Sequence, residues 1–263
     1  ARNEFGTIDL LETGVEPDAT IEFGAIQVAA AKRAYSYIEK SIELGMAGRI
    51  DGVSTAPINK AALKAAEVPY IGHTEMYALT MFNVHKLRVF FVSRHVSLRK
   101  ACDLANHDRI LDFLKNIDTE LRKFGFEHPS IGVAALNPHV GEGGLFGTEE
   151  IEHIRPAVED ARALGINAIG PESADAIFAF NLDGHHDCIL SMYHDQGHIA
   201  CKTLDFEKAV TLTLGLPFIR ASVDHGTAFD IAGKGVARGA SLIESTRVAA
   251  ELAQRKLDHE TTS

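Results

Sequence analysis

The sequence predicts an α/β protein with a largely parallel sheet. Two observations carry this. Short apolar runs alternate with amphipathic stretches along the chain, as strand–helix repeats do. Polar, imidazole-bearing clusters then follow the apolar runs, where a parallel sheet collects its ligand-binding residues.

The elements follow in order. Residues 1–14, ARNEFGTIDLLETG, show no clear start to a fold. Residues 25–47 space Ile, Val, Ala, Tyr and Leu as an amphipathic helix does. RIDGVSTA (49–56) reads as a short buried strand, and Pro57 and Asn59 open a second helix, NKAALKAA. LRVFFVS (87–93) is a strand and DRILDFLKNIDTELRKFG (108–125) a helix closed by glycine. SIGVAALN (130–137) is a strand. TEEIEHIRPAVEDARALG (148–165) is a helix with acids early and Gly late, and Pro156 is a candidate kink. ADAIFAF (174–180) reads as a short helix, CILSMY (188–193), AVTLTLG and FIRASVD as strands, and SLIESTRVAAELAQRKL (241–257) as the closing helix. No repeat or low-complexity tract interrupts the series.

Composition narrows the function. A chain of 263 residues, 46% hydrophobic and 24% charged, is long enough for a sizeable core. A net charge of -10 argues against a nucleic-acid surface, while leaving room for a local basic pocket. No apolar run spans a bilayer and no signal-peptide pattern opens the sequence, so no membrane partner is expected. Cys102, Cys188 and Cys201 are odd in number and far apart. They read as free thiols in a reducing cytoplasm.

The strand ends carry the chemistry. Lys60 follows the first strand, Arg94-His95 the second, His139 and a glycine-rich stretch the third, His194-Asp195-Gln196-Gly197 the fourth and His225-Gly226 the last. A single histidine there is an ordinary loop residue. Four of them point to one site that uses imidazoles, and three in a shared cleft suit a divalent metal with an open position. In SMYHDQGH (191–198) the strand would aim His194 at the site while Gly197 turns the chain away. NPHVGEGGLFGTEE (137–150) could bring backbone N–H groups to an anion, although it is neither a Walker A loop nor GxGxxG. Arg220 lies inside the apolar run LGLPFIRASV, so it needs an anionic partner such as a carboxylate or phosphate. Lys202 points to the same cleft, and Lys60 reads as a solvated surface residue. Asp195 and Asp175 could orient metal ligands or accept a proton. Helix capping is the plainer role for Asp175.

GHTE (72–75), LNPHVGEGGLFGTEE (136–150), MYHDQGH (192–198) and GLPFIRASVDHGTAFDIAGKG (215–235) resemble the signature blocks of the 4-hydroxythreonine-4-phosphate dehydrogenase family. The blocks are long, in order, and span most of the chain. The resemblance implies a two-lobed fold like that of the isocitrate and isopropylmalate dehydrogenases, with residues 1–263 forming one catalytic chain of two intertwined α/β lobes around a central cleft. It implies a homodimer with shared active sites. It implies NAD or NADP bound near Gly226, Asp230 and Gly233, and a divalent metal (zinc, magnesium, manganese or cobalt) on His95, His139 and His194. Substrate contacts map onto His73, Thr74, Lys202, Thr211 and Arg220, and the acid–base candidates are Asp175, Asp195 and Lys202. The substrate would be a small phosphorylated hydroxy acid. The metal would bind its C3 hydroxyl, C3 would lose hydride to the nicotinamide, and the resulting β-keto acid would lose CO₂.

The sequence departs from the family pattern in places. Thr211 stands where a substrate-touching asparagine is usual, and Ser173-Ala174-Asp175-Ala176 replaces a proline-alanine-aspartate-threonine stretch. GHIACKTLDF (197–206) resembles the branch acting on D-threonate or D-erythronate 4-phosphate more than the vitamin B6 branch. An N-terminal segment with a GDPAGIGPE-like loop is absent from this sequence, and the His73–His95 spacing is short. The competing readings are a dehydrogenase of another β-hydroxy acid or a dihydrodiol carboxylate, a non-catalytic phosphate-ligand binding protein, and a metal-dependent hydrolase.

Overall fold

The computed structural model describes residues 4–13, 21–68 and 79–262. Its eight described strands are β1 (Gly52–Thr55), β2 (Leu79–Val84), β3 (Leu87–Phe91), β4 (Ile131–Ala134), β5 (Ala168–Glu172), β6 (Cys188–Ser191), β7 (Val210–Leu214) and β8 (Ile219–Val223). They form one continuous sheet in the order β1-β8-β7-β2-β3-β6-β4-β5. The pairs β1–β8, β3–β6, β6–β4 and β4–β5 are parallel. The pairs β2–β3, β2–β7 and β7–β8 are antiparallel. The α/β class and the predominance of parallel pairing are thus as the sequence predicts, and an antiparallel middle joins two parallel blocks.

The helices are α1 (Val28–Met46), α2 (Lys60–Ala65), α3 (Leu98–Leu104), α4 (His107–Lys123), α5 (Arg155–Ala163), α6 (Ala174–Phe180), α7 (His194–Leu204) and α8 (Ala240–Thr262). Asn59 caps α2 by accepting from the Ala62 N–H, and Asn106 caps α4 by accepting from the Arg109 N–H. Ile110, Leu114, Ile117 and Leu121 recur along one stripe of α4, and all four are buried. Pro156 interrupts a long helical run at 149–163. A π-helical turn, Glu150–Ile154, leads directly into α5, and this widened turn accommodates the residue that has no N–H.

Strand alternation divides the core in two. Val210, Leu212, Leu190 and Val133 face one side of the sheet, where α4, α5 and α8 cover them. Phe82, Val89, Phe91 and Ile189 face the other side, against α6 and α7. Each such fully buried side chain contributes roughly 1.5–3 kcal/mol. The second face continues past Phe82 into polar residues, and there the cleft lies.

The structure adds β2, β5 and α3, which the sequence reading does not assign. It also corrects the reading of SMYHDQGH. Strand β6 ends at Ser191 and α7 starts at His194, so Gly197 turns no chain. Gly197 is buried inside the helix, where a Cβ would stand 2.7 Å from both Phe91 Cε1 and Val89 Cγ1. It lets the helix lie close on the sheet.

Candidate active site

The cleft has a volume of ≈ 530 Å³, the size of a small-molecule site. Register explains its floor. Residues paired across adjacent strands face the same side, so Thr80, Thr213 and Arg220 form one row and Phe82, Thr211, Ser222 and Thr55 the next. All seven line the cleft. The period-2 pattern of VTLTL and IRASV therefore buries the aliphatic residues and turns hydroxyls and a guanidinium toward the ligand.

One wall is α7. His194, His198 and Lys202 are spaced four apart and share one helix face, and all three line the cleft. Gln196 anchors the first turn. Its amide donates to the Ala135 carbonyl (2.7 Å), and its side-chain oxygen accepts from the Met192 N–H (2.8 Å) and the Ser191 hydroxyl (2.9 Å). The imidazole of His198 stacks on that of His194, with centroids 4.0 Å apart and planes at 7°. Phe82 and Phe91 pack against it at 4.5 and 4.4 Å. Burial, then the neighbouring His194, push the His198 pKa down to about 4, so this ring is neutral at ordinary pH. Its Nδ1 lies 3.1 Å from the His194 carbonyl, which can only accept, so Nδ1 carries the proton.

Charge in the cleft opposes that of the chain. Lys60, Arg94, Lys202 and Arg220 line it with a single carboxylate, Asp224, among the described residues. Lys202 Nζ lies 2.5 Å from Asp224 and over the rings of Phe82 and Phe206. The Thr211 hydroxyl lies 3.4 Å from the same carboxylate. Arg220 donates to the Thr213 hydroxyl (3.1 Å) and pairs with no carboxylate among the described residues.

The predicted residues fall as follows. His95 and His194 share the cleft, with ring centroids 5.7 Å apart, a separation two imidazoles can have when they share an ion. Asp195 lies 2.6 Å from His194 Nδ1, a carboxylate–imidazole contact of the kind that orients a ligating ring. His139 is exposed on the glycine-rich loop, beside Phe146, and does not line the cleft. Among the described residues, no group of three or more His, Cys, Asp or Glu side chains forms a metal cage. One chain thus supplies two of the three expected imidazoles. Lys202, Thr211, Arg220 and Gly226 line the cleft. A Cβ on Gly226 would meet nothing within 4 Å, so the backbone there is open. Asp230 and Gly233 lie further along the same loop, and Gly233 packs against Phe23. Asp175 is exposed in the first turn of α6, accepts from the Ser173 hydroxyl (2.7 Å), and does not line the cleft. His73 and Thr74 lie outside the described residues.

The sequence reading missed His198, Asp224, Thr213 and Ser222. The four-residue spacing 194/198/202 and the alternation around Arg220 carried the signal. The loop that holds His139 is also more organised than its glycines suggest. Residues 139–143 all have positive φ, from 42° to 76°. Buried Glu150 ties down the loop's base by accepting from the backbone N–H of Leu136 (2.8 Å) and Asn137 (2.7 Å) and from the Asn137 amide (2.9 Å).

The sheet and its cationic, imidazole-lined cleft define an α/β protein with a small-molecule site. Comparison with known proteins narrows this. The family model described as pyridoxal phosphate biosynthetic protein PdxA matches residues 1–249, and the chain belongs to that family. A Symbiobacterium thermophilum protein named, provisionally, D-threonate 4-phosphate dehydrogenase is 50% identical over 256 residues, covering 94% of this chain and 76% of that protein. The crystal structure of a 4-hydroxythreonine-4-phosphate dehydrogenase from Burkholderia phymatum is 43% identical, with a TM-score of 0.83 over 96% of this chain and 79% of its own. A terephthalate 1,2-cis-dihydrodiol dehydrogenase from Burkholderia xenovorans is more distant, 29% identical with a TM-score of 0.68 over 93% and 81%. The protein is a dehydrogenase, an oxidoreductase acting on CH–OH. No helix among its described residues is long and apolar enough to cross a membrane.

Proposed function

We propose that the protein oxidises the C3 hydroxyl of D-threonate or D-erythronate 4-phosphate and decarboxylates the product. The observation that carries this reading is the charge of the cleft. A phosphate dianion and a carboxylate on one four-carbon chain carry three negative charges, which match the net charge of Lys60, Arg94, Lys202 and Arg220 together with Asp224. An ammonium at C2, as in 4-hydroxythreonine 4-phosphate, would find only Asp224 among the described lining residues, and Lys202 already neutralises it. The hydroxyls of Thr80, Thr211, Thr213 and Ser222 suit a substrate with hydroxyls at C2 and C3. The provisional names of the nearer relatives support the same substrate class.

NAD or NADP, bound along the loop from Gly226 to Gly233, supplies the hydride acceptor. Arg220 holds an anionic end of the substrate and fixes it against the sheet. The neutral imidazole of His198 takes the proton that leaves the C3 hydroxyl, and Lys202, paired with Asp224, gives a proton to C2 of the enol left by CO₂ loss. C3 loses a hydride and its hydroxyl a proton, the C1–C2 bond breaks to release CO₂, and C2 takes up a proton to give dihydroxyacetone phosphate. His198 lines this path as a neutral acceptor, and Asp175 stands apart from it. A divalent metal and a homodimer with shared active sites belong to the proposal through the family resemblance. His95 and His194 do not complete a cage in one chain, and an exposed His139 outside its own cleft is compatible with sharing between chains. The free thiols Cys188 and Cys201 are buried, which suits the cytoplasm.

The test is NADH formation by the purified protein with added divalent metal, comparing D-threonate, D-erythronate and 4-hydroxythreonine phosphates. Turnover of a sugar-acid phosphate is expected. Turnover of the amino acid alone would overturn the substrate assignment.

A further inference from the structure

We infer that Lys60 is a substrate-binding residue, which closes with Arg220 and Ser222 a subsite for the phosphate end of the substrate at the β1 rim of the cleft. This rests on the phosphorylated substrate proposed above.

By sequence Lys60 looks like one more solvated lysine. The fold leaves its side chain exposed but sets it at the cleft. It is the first residue of α2, just beyond the end of β1, and it lines the same cleft as Arg220 and Ser222. Strand β1 pairs with β8, so Val53 lies beside Arg220 and Thr55 beside Ser222, and the chain from Thr55 to Lys60 borders that end of the floor. Six of the other eleven lysines, Lys40, Lys100, Lys123, Lys202, Lys208 and Lys256, pair with carboxylates. Lys60 pairs with no acid among the described residues, in a chain of net charge -10. The two ends of the cleft therefore differ. At the α7 wall the one cleft carboxylate already neutralises Lys202, and imidazoles fill the rest. At the β1 rim Lys60 and Arg220 are opposed by no described carboxylate, and Arg220 has spent one of its five donors on Thr213. A phosphate monoester is a dianion with three acceptor oxygens, and this rim offers the cations and donors that would match it. The carboxylate end would then lie toward Lys202, where decarboxylation needs the proton.

Steady-state kinetics on the full chain test this, with Lys60→Ala, Lys60→Arg, and Lys64→Ala as a control one turn along the same helix that does not line the cleft. Lys60→Ala is expected to raise KM for the phosphorylated acid roughly tenfold to a hundredfold, the loss of one charge-assisted contact. The inhibition constant of inorganic phosphate should rise by a similar factor. The KM of the cofactor, kcat, and inhibition by unphosphorylated D-threonate should stay within about twofold, as a binding role requires. Lys60→Arg should recover most of the affinity, and Lys64→Ala should behave as wild type. Unchanged substrate KM in Lys60→Ala, an equal loss for phosphorylated and unphosphorylated ligands, or a shift confined to the cofactor would each overturn the inference. If the wild type turns over none of the three phosphates, the proposed function fails. Calorimetry with inorganic phosphate then decides Lys60 alone, and equal binding by wild type and Lys60→Ala would overturn its role.

Discussion

Replacing Gly197 by alanine sets two effects of opposite sign against each other. In a helix interior, alanine is favoured over glycine by about 1 kcal/mol. At this position the added Cβ would stand 2.7 Å from Phe91 Cε1, 2.7 Å from Val89 Cγ1 and 3.2 Å from Phe91 Cζ. Neither neighbour can swing into solvent, because Phe91 is 3% exposed and Val89 fully buried. Phe91 also backs onto His198 at 4.4 Å. The methyl must lift α7 or press Phe91 into the cleft wall, and overpacking of this kind costs about 1–3 kcal/mol. The clash should prevail by about 1 kcal/mol, a fall in Tm of about 2–4 °C for a chain of this size. Because α7 carries His194, His198 and Lys202 together, kcat/KM should fall by a larger factor than stability does. Scanning calorimetry and steady-state kinetics on the same preparations measure both. A Gly197→Ala variant with a raised Tm and unchanged kinetics would refute the claim that close approach of helix and sheet positions this wall.

Three further outcomes are expected. Hydrogen bonds to Asp108 (2.9 Å) and then Asp160 (3.0 Å), opposed by burial, hold the His107 pKa above its ordinary value and join α4 to α5. That contribution is complete below the unfolded pKa of about 6.5 and is lost as pH rises through the folded value, so stability measured from pH 6 upward should decline less in His107→Gln than in wild type; parallel declines would exclude the contact. Glu150→Ala strands two backbone donors, Leu136 and Asn137 N–H, at the base of the His139 loop, while the Asn137 amide keeps Glu149, and should cost roughly 2–3 kcal/mol in urea unfolding, whereas a loss below about 1 kcal/mol would show that the loop holds itself. His194→Ala should lower the zinc or cobalt retained after dialysis, read by metal analysis, and unchanged content would make His194 an incidental loop-end histidine.

Much of the fold was legible because its signals are local. The stripe at Ile110, Leu114, Ile117 and Leu121, the glycine after α4 and the alternation in VTLTL each act within a few residues. Strands β2 and β5 escaped because their boundaries depend on partners. Leu79–Val84 pairs antiparallel with both β3 and β7, and nothing within six residues announces those neighbours. The HDQG segment escaped for a related reason: a glycine among polar residues reads locally as a turn, and only the sheet beneath it turns it into a packing device.

By itself the sequence determined the alternating α/β order, the family blocks and the residue types of the site, since these are properties of periodicity and of motifs contiguous in the chain. The tertiary structure alone decided which of those residues meet. Strand register set Thr213 and Ser222 beside Arg220, and helix pitch put His198 and Lys202 behind His194. Packing paired Lys202 with Asp224, brought Lys60 to the cleft rim, and left His139 outside it. Juxtaposition across strands far apart in sequence is fixed by pairing and packing, and no short stretch of the chain encodes it.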